Sequence, residues 1–181
     1  IMILQPTNVK ASPKTITVPS DYPTIQSAID NATAGDTILV MSGSYDEVAL
    51  EITKPLTIIS QVPHQAKINL NPTTFNVTYP NYGTKEPSFT TGYMYNNAIN
   101  INSSDVTFSG FVITTIGGAI LAAGNNIQII NNDFGNVTWW KSEGSTNTTA
   151  GMLLYVYGSN ENIISNNAYQ MTLNCQYSSI V

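Results

Sequence analysis

The sequence contains no arginine, and its six cations are all lysine against eleven Asp and Glu. The net charge is −5 and no basic run exists. Nucleic acid is therefore a poor partner, because nothing is present to neutralise a row of phosphates. Charged residues make up 9% of the chain, against about 25% in an ordinary soluble domain. Cys175 is the single cysteine, so an internal disulfide framework is excluded. Its thiol reads as a small buried hydrophobe, or else as a bridge to a second chain. His64 is the single histidine, beside Pro63 in an expected turn, and reads as a solvated loop residue. With one His and one Cys, a dedicated zinc or copper site is not expected. Calcium held by carbonyl, Asn and Asp oxygens stays open. No apolar run reaches the roughly 18 residues of a membrane-spanning helix. The opening Ile1-Met-Ile-Leu4 lacks the charged start and small-residue cleavage site of a signal peptide. Residue 1 reads as a processed N-terminus or as a boundary within a longer chain.

Asn, Thr and Ser supply the polarity that charge does not. A length of 181 residues sets an expectation of one domain. Asn31, Asn76, Asn102, Asn136 and Asn147 each open an Asn-x-Ser/Thr sequence with x other than proline. Five such acceptors on a surface with little charge point to an exported glycoprotein carrying covalent N-glycans.

Residues 1–14 read as an N-terminal arm or strand, and 15–181 as one domain. Thr15-Ile-Thr-Val18 alternates as a strand. A short helix follows near 23–33. Pro23 suits its first turn, Asp21 and Thr24 can serve its orphan amides, and Gly35 supplies the stop. Ile25, Ala28, Ile29 and Ala32 form one apolar stripe, which suits a plug on the end of another structure. After Gly35 the text is strands and turns. Thr37–Met41 is continuous and apolar, as in strands covered on both faces.

A weak repeat organises the rest. Asp105-Val-Thr-Phe-Ser-Gly-Phe-Val-Ile113 matches Asn126-Ile-Gln-Ile-Ile-Asn-Asn-Asp-Phe134, 21 residues on, and then the text opening at Asn162, a further 36 on. The larger step reads as 21 plus an insertion of 15 within 136–150. A period near 20 residues signals stacked turns of a solenoid. Asparagine suits its bends, since it tolerates left-handed backbone and its amide can bond along a stack. Asn125, Asn126, Asn131, Asn132, Asn166 and Asn167 are assigned that structural role. Two aromatic insertions, near 71–97 and 136–150, are too long for plain loops.

The text Ile16-Thr-Val-Pro-Ser-Asp-Tyr-Pro-Thr-Ile-Gln-Ser-Ala-Ile-Asp30, Gly35-Asp-Thr-Ile-Leu-Val40, Gly43-Ser-Tyr-Asp-Glu47 and Leu56-Thr-Ile-Ile59 resembles the opening of the pectin-lyase-like superfamily. The later Asn-rich repeats resemble archaeal and bacterial surface β-helix proteins, including the NosD-like group. The resemblance implies an all-β, right-handed parallel β-helix whose short helix caps the first coil. It carries fold further than function.

Gly43-x-Tyr45-x-Glu47 resembles a pectin methylesterase motif, but the arginine and later segments of such enzymes have no counterpart. A turn-shaping role is preferred. Pectate lyases need a basic residue and clustered acids, whereas Asp105, Asp133, Glu143 and Glu161 occur singly. Stacking could bring Asp105 and Asp133 together for glycoside hydrolysis. Trp139, Trp140, Tyr155 and Tyr157 read as packing or, alternatively, as carbohydrate contacts. The expectation is a non-enzymatic, extracellular or cell-surface structural glycoprotein, a homopolymer built head to tail. Its contacts are assigned to Ile1, Met2, Ile3 and Leu4 of the arm and to Leu173, Tyr177, Ile180 and Val181 of an open last coil. The alternatives are a polysaccharide-binding or polysaccharide-processing β-helix, or a fragment of a larger adhesin.

Overall fold

The computed structural model describes residues 12–71, 74–80, 89–95, 98–115, 119–134, 137–140, 148–150, 153–164, 166, 170–176 and 179–180. The chain begins with β1 (Thr15–Val18) and α1 (Ile25–Asn31), then runs through β2 (Thr37–Val40), β3 (Gly43–Glu47) and β4 (Leu50–Ile52). A second pass holds β5 (Thr57–Ser60), β6 (Ala66–Leu70), β7 (Thr74–Pro80), β8 (Phe89–Tyr95) and β9 (Ile99–Ile101). A third holds β10 (Thr107–Ser109), β11 (Val112–Thr115) and β12 (Ala119–Ala123). The fourth holds β13 (Gln128–Ile130), β14 (Asp133–Phe134), β15 (Val137–Trp140), β16 (Thr148–Ala150) and β17 (Leu153–Ser159). The last strands are β18 (Asn162–Ile164), β19 (Gln170–Gln176) and β20 (Ser179–Ile180).

The fold is all-β with parallel sheets. Sheet A runs β1-β2-β5-β10-β13-β18-β20, sheet B runs β3-β6-β11-β14, and sheet C runs β4-β9-β12-β17-β19. The passes that open at β2, β5, β10 and β13 each visit A, then B, then C. Both aromatic insertions contain antiparallel pairs between sheets B and C: β7 with β8, and β15 with β16. The second pair shifts register between Thr138 and Trp140, leaving Trp139 as the extra residue of a bulge.

Strict alternation builds the core. In sheet A the register stacks Ile16, Ile38, Ile58, Phe108, Ile129 and Ile163, all buried. Sheet B stacks Tyr45, Ile68, Ile113 and Phe134, and sheet C stacks Ile52, Ile101, Ala122 and Val156. The residues between them face outward and are mostly polar. One repeat step differs from expectation. Gln128 pairs with Asn162, so Asn126 lies opposite Asn160, a step of 34 rather than 36. A two-residue slip keeps the same residues inward, so alternation alone could not detect it. The left-handed corners decide the register, since Asn126 (φ 59°) stacks on Asn160 (φ 63°).

The helix is shorter than expected. Thr24 is its N-cap: its Oγ1 accepts the Ser27 amide at 3.1 Å, while the Ser27 hydroxyl accepts the Thr24 amide at 3.2 Å. Pro23 therefore precedes the cap. Ala32 turns extended and ends the helix, and Gly35 (φ 94°) belongs to the following turn. Ile25, Ala28, Ile29 and Ala32 are buried, and α1 packs on β1, β2, β3 and β4. It covers the first strands of all three sheets. Lys54 Nζ donates to the carbonyls of Ile29, Asp30 and Ala32 at 2.9–3.0 Å, a cation where the helix dipole favours one. Among the described residues, no helix is long and apolar enough to cross a membrane.

Lys54→Met keeps the aliphatic stem and removes those three bonds. The substitution should destabilise the protein by about 1–2 kcal/mol, and amide exchange should quicken in α1 before it does in sheet A.

Candidate functional site

The Gly-x-Tyr-x-Glu segment secures the helix. Glu47 is buried at the end of β3, and its Oε1 accepts the Ile25 amide, the first of α1, at 2.6 Å. Burial pushes its carboxyl up from the ordinary range, and bonds from the Ile25 and Gln26 amides partly oppose that. The Tyr45 hydroxyl donates to Met41 O at 2.9 Å, and burial raises its pKa. Asp36, also fully buried, closes the turn after α1. It accepts the amides of Lys14 (2.9 Å) and Thr33 (2.8 Å) and the Thr33 hydroxyl (2.9 Å). Burial pushes this carboxyl up, but those bonds outweigh it and hold the pKa below the usual aspartate value.

Asparagines hold the corners. Entering sheet A, Asn126 Nδ2 donates to Asp105 Oδ1 at 2.8 Å, and Asn160 Nδ2 donates to Asn126 Oδ1 at 2.6 Å. Beside them, Asn125 Oδ1 accepts both the amide and the hydroxyl of Ser159. Leaving sheet A, buried Asn132 accepts the Phe111 amide and donates to Phe108 O and Asn166 Oδ1, at 3.0–3.1 Å. Asn131 takes the left-handed turn (φ 55°), and its carbonyl accepts His64 Nε2–H at 2.9 Å. Gly110, in the pass between them, accepts the His64 amide at 2.7 Å and donates its own to Ile130 O at 3.2 Å. Asn167 lies outside the described residues.

Backbone also packs tightly at the first corner. A Cβ on Gly124 would overlap the Ser103 carbonyl, and one on Gly158 would strike the Gly124 carbonyl and the Glu161 carboxylate. Glu161 is fully buried beneath that corner. Asp105 and Asp133 are not brought together: the first sits at the corner entering sheet A, the second in sheet B facing Val112. Among the described residues, no three His, Cys, Asp or Glu side chains are grouped to hold a metal.

Two clefts open on the outer faces. On sheet B, Asp46, Asn69, Leu70, Asn71, Thr114 and Thr115 line a cleft of about 540 Å³. Asp46, Asn69 and Thr114 face one another in register. Thr114 Oγ1 donates to Asn69 Oδ1 at 2.8 Å, and Asn69 Nδ2 donates to Asp46 Oδ1 at 2.7 Å and Ser44 Oγ at 2.9 Å. Sequence reasoning missed this row, because its members lie in three passes and only the register unites them. On sheet C a cleft of about 250 Å³ is lined by Glu51, Thr53, Asn100, Asn102 and Leu121, among others. Asn100 Nδ2 donates to Glu51 Oε1 there at 2.6 Å. Tyr155 and Tyr157 of β17 are in register with Leu121 and Ala123.

Of the five expected glycan acceptors, Asn31 and Asn102 are exposed. Asn31 Nδ2 of the side chain donates to Ser27 O at 2.9 Å, within α1. Asn76 lies in β7, while Asn136 and Asn147 fall outside the described residues. Trp139 and Trp140 lie in β15, Leu173 in β19 and Ile180 in β20. Ile1, Met2, Ile3, Leu4, Tyr177 and Val181 fall outside the described residues.

The two buried carboxyls predict opposite pH effects. Glu47, with a raised folded pKa, stabilises when protonated, and that contribution fades as pH rises through its folded value. Asp36, with a lowered pKa, stabilises when ionised, and that contribution fades as pH falls through about 4 and below. Glu47→Gln should therefore raise the unfolding midpoint at pH 7, with the gain vanishing near pH 3. Asp36→Asn should lower it at pH 7, with the deficit shrinking in acid. In the corner, Asn132→Leu strands a buried amide and a buried carbonyl. It should cost about 2–4 kcal/mol by denaturant titration.

Comparison with protein-family models, curated proteins and solved structures finds no match to this chain.

Proposed function

We propose that the chain is a right-handed parallel β-helix serving as a non-enzymatic, extracellular structural glycoprotein that assembles head to tail into a filament or surface layer. Repeated A-to-B-to-C passes with parallel pairing support the architecture. The hand follows the general rule, since crossovers between parallel strands are right-handed in about 98% of cases.

The observation that carries the function is the asymmetry between the two ends of the sheets. At one end α1 covers the first strands, and Asp21 blocks the outer edge of β1. Its carboxylate accepts the Thr17 amide and its own amide donates to Thr17 O, both at 2.7 Å. At the other, among the described residues, the seven-residue β19 is the last strand of sheet C and β20 the last of sheet A. Such edges template a further strand. The Ile1–Leu4 arm of a second copy is the proposed donor, and a contact of this kind that does not close generates a filament. Exposed Asn31 and Asn102 fit an outer surface carrying N-glycans.

Polysaccharide contact through Trp139, Trp140, Tyr155 and Tyr157 is the competing reading. The register of Tyr155 and Tyr157 with two residues of the sheet C cleft favours it.

Deleting residues 1–5 should abolish polymers in light scattering while leaving the far-ultraviolet circular dichroism and unfolding midpoint unchanged. Polymers that persist in the deletion variant would defeat the arm-exchange mechanism.

A further inference from the structure

We propose that the cleft on the outer face of sheet B is a binding site for a neutral glycan. The inference does not depend on self-assembly, since the cleft is built within one chain.

Hydrogen-bond accounting points to the ligand. Asn69 has a full set of partners: both amide hydrogens are spent on Asp46 and Ser44, and its oxygen accepts from Thr114. The row is thus held rigid at its centre. Thr114 has used its one hydroxyl proton, so it can meet a ligand only as an acceptor. Asp46 is exposed and can only accept while ionised. The two ends of the row therefore call for O–H donors. Neighbouring parallel strands are spaced about 4.8 Å apart, so Asp46 and Thr114 flank Asn69 at a span suited to hydroxyls of adjoining sugar units.

Size and charge narrow the class. The cleft, about 540 Å³, is larger than a lone ion requires and falls within the range of small-ligand sites, about 300–1,000 Å³. Among the described residues its lining holds one carboxylate and no cation, so uronates, sulfated sugars and phosphates are disfavoured. The glycan could be free in the surroundings or carried on the Asn of another copy, since the chemistry is the same.

The test is calorimetric titration of the full chain, produced without N-glycans, with neutral hexasaccharides of glucose, mannose and N-acetylglucosamine. A hexamer of galacturonate serves as the acidic comparator. Saturable uptake of at least one neutral series and none of galacturonate is expected. Asp46→Ala and Thr114→Val, both at exposed positions, should each weaken uptake about tenfold or more. Lys67→Ala, in the adjacent outward row, should leave it unchanged. An unaltered unfolding midpoint would separate lost binding from lost fold. Glycosylated protein that takes up the hexamer only after enzymatic deglycosylation would identify the copy-borne glycan as occupant; equal uptake in both states would identify a free one. Absence of neutral-sugar uptake by the glycan-free chain, or uptake indifferent to Asp46 and Thr114, would overturn the site.

Discussion

Parallel register across sheet A is the constraint on which the other features depend. Each pass must return an apolar side chain to the same place in the stack, and Ile16, Ile38, Ile58, Phe108, Ile129 and Ile163 do so. A single short strand has too little apolar surface to hold itself in place, so its stability comes from the strands paired on either side. Register in turn fixes which residues face outward in sheets B and C. The Asp46–Asn69–Thr114 row and the Glu51–Asn100 pair are consequences of it.

Stacking apolar faces does not by itself choose among registers that differ by two residues. The corners make that choice with polar groups. Asn126 and Asn160 share a left-handed backbone and bond through their side chains, and Asn132 bridges Phe108, Phe111 and Asn166 from a buried position. The glycines at 124 and 158 allow backbone to approach backbone where any side chain would collide. Low charge fits this arrangement: amides and hydroxyls can satisfy one another along a ladder, whereas like charges stacked at strand spacing would repel.

Much of the fold was legible in the sequence because it rests on local signals. The apolar stripe from Ile25 to Ala32 marked a helix that plugs an end, and the 21-residue match between Asp105 and Asn126 marked a true register step. Asn126 and Asn131 take the left-handed backbone that their residue type suggests, whereas Asn160, which has it too, was not singled out. Less legible were features requiring residues from different passes. Lys54 reaches the helix terminus across 22–25 positions of sequence, and Glu47 meets the Ile25 amide across 22. The sheet B cleft draws on three passes, one of them reached only after a long inserted hairpin. Glu161 was read only as an acid that occurs singly, because nothing near it in sequence reveals that its corner packs inward. The pairing of Asp105 with Asp133 failed for a related reason: separation along the chain does not say which face of a pass a residue occupies.

Electron microscopy and fibre diffraction of native material, before any refolding, test head-to-tail stacking most directly. Filaments or layers with a reflection near about 4.8 Å along the stacking axis are expected, because a second copy would continue the strand spacing of the first. Dispersed single chains, or polymers lacking that axial reflection, would contradict stacking through the sheet edges.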